Sequence, residues 1–169
     1  VKDFLGWDQA NNTFYFTSNE GSPLRTAVYK IDAKGKKTKL STQEGSNSAI
    51  FSKNMKYFVN TYSSANIPPV ITLNDNKGKV LTTLVDNQKL KQQMSGLNMP
   101  SKEFFTFKTT DGVELNGWIM KPAHFDTNKK YPVILHQYSG PGSQQVLDRW
   151  GIGAMGNGGL FEAYMADKG

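Results

Sequence analysis

The sequence predicts a mixed fold, two blades of an all-β propeller followed by the opening elements of an α/β domain. Three observations carry this. The first half contains one unit twice, at an offset of 42 to 43 positions. From Asp86 the pattern changes to a short amphipathic stretch and a hairpin. The apolar run Tyr131–Leu135 then reads as a buried strand of the parallel-sheet kind, closed by Ser139-Gly140-Pro141-Gly142, a turn through which no strand continues.

The repeat is read residue by residue. Phe14-Tyr15-Phe16-Thr17-Ser18 matches Lys56-Tyr57-Phe58-Val59-Asn60, and Val28-Tyr29-Lys30-Ile31-Asp32 matches Val70-Ile71-Thr72-Leu73-Asn74. The turns Ala33-Lys34-Gly35-Lys36 and Asn76-Lys77-Gly78-Lys79 follow. Alternating apolar residues between turns predict strands at Phe4–Trp7, Thr13–Ser18, Ala27–Ile31 and Lys37–Leu40, then Ser48–Phe51, Tyr57–Ser63, Val70–Leu73 and Val80–Val85. Four strands in a period of about 40–45 residues mark a propeller blade. Closed propellers have about 4–8 blades, so the expectation is that further chain or a partner completes the ring. Unpaired strand edges in this chain favour self-association or exchanged segments.

Residues 86–100 read as a linker. Asp86 can cap a helix from Asn87 to about Met94, with Leu90 and Met94 on one face, and Gly96 and Pro100 mark its end. From residue 101 to 169 the elements are those of another domain. Glu103–Thr109 and Val113–Met120 alternate as strands about the turn Asp111-Gly112. The loop His124–Lys130 leads to the run at Tyr131, and Leu160–Ala166 reads as a helix stopped at Lys168-Gly169. Hairpin, buried strand, loop and helix in this order are how an α/β-hydrolase domain begins.

Composition narrows the functional classes. The chain is 37% hydrophobic and 12% aromatic, enough for a core. Its 20 Lys and Arg against 14 Asp and Glu give a net charge of +6, but the lysines fall in turns such as Lys34–Lys39. Solvated turns and edge protection account for them, without a nucleic-acid surface. The absence of cysteine excludes disulfides and thiolate metal sites. No apolar run reaches the roughly 18 residues of a membrane-spanning helix. Val1-Lys2-Asp3-Phe4 begins in mid-pattern, as a chain cut from a longer one would, with any anchor or export signal upstream.

Tyr138 is the candidate functional residue. A phenol at the carboxyl end of a buried strand, before a tight loop, stands where open α/β sheets place ligands. His136, within the apolar strand, reads as an interior histidine, and His124 lies in a polar loop without clustered ligands, so no metal site is expected. Gly151-Ile152-Gly153-Ala154-Met155-Gly156 satisfies the dinucleotide spacing but lacks its strand and helix frame, and is expected to be a flexible loop. No Gly-x-Ser-x-Gly elbow occurs in the chain.

The succession Asn98-Met99-Pro100-Ser101-Lys102, Pro122-Ala123-His124-Phe125-Asp126, Lys129-Lys130-Tyr131-Pro132 and Tyr138-Ser139-Gly140-Pro141-Gly142-Ser143-Gln144 closely resembles dipeptidyl peptidase IV, of the prolyl oligopeptidase group of serine peptidases. The resemblance extends back through Tyr29-Lys30-Ile31 and Phe51-Ser52-Lys53. It implies an eight-bladed propeller over an α/β-hydrolase domain. This chain would hold the last two blades and the first hydrolase strands. It implies release of N-terminal dipeptides with Pro or Ala second, by a Ser-His-Asp triad, and Tyr138 as a hydroxyl donor of the oxyanion hole. Pro141, Gly142 and Gln144 would shape the loop near substrate. The resemblance further implies peptide substrates, no cofactor, a homodimeric parent and an extracytoplasmic place, periplasmic or membrane-associated. The triad and the acidic pair that grips the substrate amine match no residue here, so the isolated chain is expected to be inactive. A tripeptidyl- or acylaminoacyl-peptidase-like specificity and a non-catalytic binding protein remain open.

Overall fold

The structure, a computed structural model, describes residues 1–97, 99–138, 140, 142–151, 153 and 159–168. The chain is mostly β. One antiparallel sheet runs β1 (Phe4–Asp8), β2 (Thr13–Ser18), β3 (Ala27–Ile31) and β4 (Lys37–Lys39) in sequential order. A second repeats it with β5 (Ser46–Phe51), β6 (Tyr57–Ser64), β7 (Ile67–Asp75) and β8 (Val80–Val85). Every strand expected in the first half is present, with ends within three residues. The two sheets are blade-like, and no closed sheet occurs among the described residues.

The repeat extends to individual hydrogen bonds. Asp32 Oδ1 accepts from the N–H groups of Lys34 and Lys36, and Asp75 Oδ1 accepts from those of Lys77 and Lys79, all at 2.9 Å. Each turn closes on a glycine in the left-handed region, Gly35 at φ 80° and Gly78 at φ 91°, which a side chain would resist. The ladders correct the sequence match in two places, and in the third strand Ile31 corresponds to Asn74, one position after the Leu73 that the sequence suggested. Phe14 pairs with Trp7 and Ile31, and Phe58 pairs with Phe51 and Asn74. Phe58 therefore corresponds to Phe14, two positions before the Phe16 that the sequence suggested. Phe14 and Phe16 lie on the same strand face, so a slip of two keeps the apolar pattern unchanged. The stacked pair Trp7–Phe14, with centroids at 5.6 Å, recurs as Phe51–Phe58 at 4.8 Å.

The core lies between the sheets. Tyr15, Val28 and Leu40 from the first meet Ala49 and Phe58 from the second, with Leu5, Phe51 and Met55 at its margin. Burial of aliphatic and aromatic groups of this size is the main driving force that joins the blades. A polar seam flanks it. Asn47 donates from Nδ2 to the carbonyls of Thr26 and Gln43, and Asn60 donates to Asn47 Oδ1, all at 3.1 Å. Thr26 and Ser46 form a parallel bridge between the sheets.

Beyond the sheets, α1 (Gln88–Ser95) begins where Asp86 Oδ1 accepts the Gln88 N–H at 3.0 Å. Asn87 takes a left-handed φ of 53° there and makes no side-chain cap. The hairpin β9 (Lys102–Lys108) and β10 (Glu114–Met120) turns through Gly112 at φ 80°, whose N–H reaches the Thr109 carbonyl at 2.9 Å. Helix α2 (Leu160–Lys168) packs toward β10 and buries Ala163.

The run at Tyr131–Leu135 departs from expectation. It forms no strand, and Val133, Ile134 and Leu135 are 83%, 65% and 84% exposed. A strand of that composition needs ladder partners on its edges and cover on both faces. No described strand flanks it, so hydrophobic character alone cannot fold it. His136 is accordingly exposed, not interior.

Candidate functional site: a tethered loop after Tyr138

The loop that begins at Tyr138 is built from its two ends. At the first, Tyr138 is 58% exposed, and no hydrogen bond to its hydroxyl occurs among the described residues. Its ring lies across the backbone of Gly140. A Cβ at 140 would come within 2.6 Å of the ring edge and of Oη, so only glycine leaves room for this pose. Gly142 follows at φ 76°, in the left-handed region. Gln144 donates from Nε2 to the Val146 carbonyl at 3.0 Å, so its amide shapes the loop locally and does not reach Tyr138. Pro141 lies outside the described residues, as do Ile152 and Ala154–Gly158 of the glycine-rich stretch.

The second end is fixed. Asp148, a residue the sequence did not single out, is 7% exposed. Its N–H donates to the Leu24 carbonyl at 2.9 Å. Its Oδ1 accepts the Ala65 N–H at 2.9 Å, and its Oδ2 accepts Arg25 Nε at 3.0 Å. Arg25 also donates from Nη1 to Glu44 at 2.7 Å, and Lys39 reaches the other Glu44 oxygen at 3.0 Å. Two residues on, the Trp150 N–H donates to Ser63 Oγ at 3.3 Å. Bonds to the two carboxylates hold the Arg25 guanidinium above its ordinary range despite partial burial, and Lys39 beside Glu44 holds that carboxyl below its own.

The same turn of the second sheet holds the hairpin. Asn66 donates from Nδ2 to the Lys102 carbonyl at 3.0 Å and accepts the Lys102 N–H at 2.9 Å, as a neighbouring strand would. Burial pushes the Lys102 amine down, and Glu162 opposes this. Its Nζ lies 4.5 Å from the Trp118 ring centroid. A cleft of about 380 Å³ opens here, walled by Met94, Met99, Met120, Ala65 and Trp150. Tyr138 and Gln144 are not among its walls. No group of metal-ligating side chains occurs among the described residues.

The comparisons with known proteins concern the sequence and the fold. Residues 1–69 match the family model described as the dipeptidyl peptidase IV (DPP IV) N-terminal region. A probable dipeptidyl-aminopeptidase B of Podospora anserina is 38% identical over 150 residues, covering 86% of this chain and 16% of that protein. The corresponding protein of Chaetomium globosum is 35% identical over 164 residues, 94% of this chain and 17% of its own length. The crystal structure of Porphyromonas gingivalis dipeptidyl peptidase 4 superposes with a TM-score of 0.90 at 48% identity, covering all of this chain and 23% of that one. The chain thus spans about a sixth of the length of the curated relatives it matches. On sequence and fold alike, the chain is similar to dipeptidyl peptidase IV proteins, the resemblance that the motifs from Asn98 to Gln144 suggested.

Proposed function

We propose that the chain is a segment of a serine exopeptidase that releases dipeptides from peptides with Pro or Ala at the second position. Residues 1–85 supply two propeller blades, 86–100 a linker, and 101–169 the first elements of an α/β-hydrolase domain. The observation that carries this reading is 48% identity along the whole chain with a dipeptidyl peptidase 4. In such an enzyme a serine attacks the scissile carbonyl, and negative charge gathers on the former carbonyl oxygen. A phenol fixed beside that oxygen donates its O–H as the charge develops, which stabilises the transition state by about 3–4 kcal/mol. Tyr138 suits the role because it is exposed and its hydroxyl is engaged by none of the described residues, while Gly140 leaves room for the edge of its ring. Gln144 and Pro141 contribute to the substrate side of the same loop. The parent enzyme is homodimeric and extracytoplasmic in this reading.

The test is hydrolysis of Gly-Pro and Ala-Pro chromogenic amides by the full-length protein. Dipeptide release, reduced roughly a hundredfold by Tyr138→Phe with the fold intact, supports the assignment. Release of tripeptides instead moves the specificity to a tripeptidyl class. No hydrolysis of any peptide amide makes the protein a propeller–hydrolase binding protein. Near-normal rates in Tyr138→Phe remove this residue from the mechanism.

A further inference from the structure

The loop that carries Tyr138 leaves the blades' reach at one end and is fastened to them at the other. Asp148 is the fastening. Its buried carboxylate and its N–H take three partners from the two blade loops, Leu24, Arg25 and Ala65, and Trp150 adds Ser63. Arg25 is 123 positions away in sequence. It spans Asp148 and Glu44 with separate nitrogens of one planar fork, a geometry that a lysine ammonium cannot reproduce. The sequence between Tyr138 and Asp148 contains two glycines, and the side-chain bonds among its described residues are local ones, Gln144 to the Val146 carbonyl and Gln145 to Ser143, so its placement depends on where it is anchored.

We infer that Arg25 is a positioning residue for catalysis: through Asp148 it sets the loop that aims the Tyr138 hydroxyl. The inference rests on the oxyanion role proposed for Tyr138. It makes the blade loop at Leu24–Arg25 part of the catalytic framework without any contact with substrate. A misplacement of about 1 Å in a group acting on the transition state lowers rates by up to roughly a hundredfold, so even a modest slackening is measurable.

The experiment is a double-mutant cycle in the full-length protein, with Gly-Pro chromogenic amide as substrate. Arg25→Ala is expected to lower kcat about tenfold with KM changed less than about twofold. Asp148→Asn keeps an acceptor for Ala65 but discharges the pair, and is expected to act alike. Arg25→Lys should recover part of the loss. In a Tyr138→Phe background, Arg25→Ala should add less than about twofold, because the group it positions is already gone. Full multiplication of the two effects, or an unchanged kcat in an active enzyme, overturns the inference. Hydrogen exchange in the same proteins separates the two failures. Faster exchange at the Asp148 and Trp150 amides in Arg25→Ala, with β2 and β3 unchanged, supports the tie. Unaltered exchange overturns it. An inactive wild type whose exchange responds in this way defeats the peptidase reading, and the positioning role with it, while the tie stands.

Discussion

Phe51 and Phe58 stack across the β5–β6 ladder with ring centroids 4.8 Å apart, on the face that the second sheet turns toward Tyr15 of the first. Phe58 is 2% exposed, whereas its counterpart Phe14, stacked on Trp7, is 39% exposed. The two phenylalanines hold equivalent ladder positions but face different surroundings. Phe58→Ala should therefore cost about 3–5 kcal/mol, and Phe14→Ala under about 1 kcal/mol. Urea denaturation of the two variants measures the difference. Equal losses would mean that sheet-to-sheet packing does not govern stability here.

Gly140 lies under the Tyr138 ring, and a methyl group there would displace it. Tyr138 is exposed, so the ring can swing away at little energetic cost. Gly140→Ala is thus expected to leave the melting temperature of the full-length protein within a degree or two and to lower kcat by roughly tenfold or more. A loss of stability without loss of rate would assign Gly140 to folding alone.

The carboxylate of Asp75 is held below its ordinary range, first by the backbone N–H of Lys79 and then by that of Lys77. Glu44 is lowered by Lys39, then by Arg25. A depressed folded-state value means that the unfolded chain takes up these protons more readily. The stabilisation is present in full above the unfolded value, near pH 4, and is lost as pH falls through the folded one. Asp75→Asn keeps an acceptor for both N–H groups and removes one titrating site. Urea midpoints between pH 7 and pH 3 should fall less steeply in this variant. Identical acid slopes would exclude Asp75 as a contributor.

Strand β8 forms an edge of its sheet, with Val80, Leu81, Leu84 and Val85 all at least 40% exposed. Such an edge, long and apolar, pairs with further strands. The 169-residue chain is expected to self-associate at micromolar concentration, and Leu84→Lys should reduce this. Light scattering across a dilution series measures both. A monomer at all concentrations would contradict it.

Most of the blade structure was legible in the sequence because alternation and turn glycines act locally. Asp32 and Asp75 hold their turns through bonds within five residues, although the sequence match had set Asp32 against Asn74. The ladder register was less legible, since aromatic residues at 14, 15 and 16 satisfy two alignments equally. The run at Tyr131–Leu135 was misread because a parallel-type strand is defined by neighbours, and apolar composition does not supply them. At the candidate site, Tyr138 was singled out through flanking motifs. Asp148 was not, because nothing local distinguishes it from other loop aspartates. Its importance comes from Arg25 and Ala65, which are distant in sequence. The only available signal was an apolar-flanked Asp-Arg-Trp in a loop otherwise rich in glycine.

The separation between Arg25 and Asp148 also sets an order of events. Each sheet is a run of hairpins between consecutive strands, whose contacts close over short loops and form quickly. The bond from Asp148 has no partner until both blade loops exist, since Leu24 and Arg25 come from one sheet and Ala65 from the other. It is therefore among the last contacts to form, and as a cluster at the margin of the core it is among the first to open. Nascent blades exist before the loop is secured, so in the role proposed for Tyr138 its hydroxyl is set only in molecules whose two sheets have already assembled.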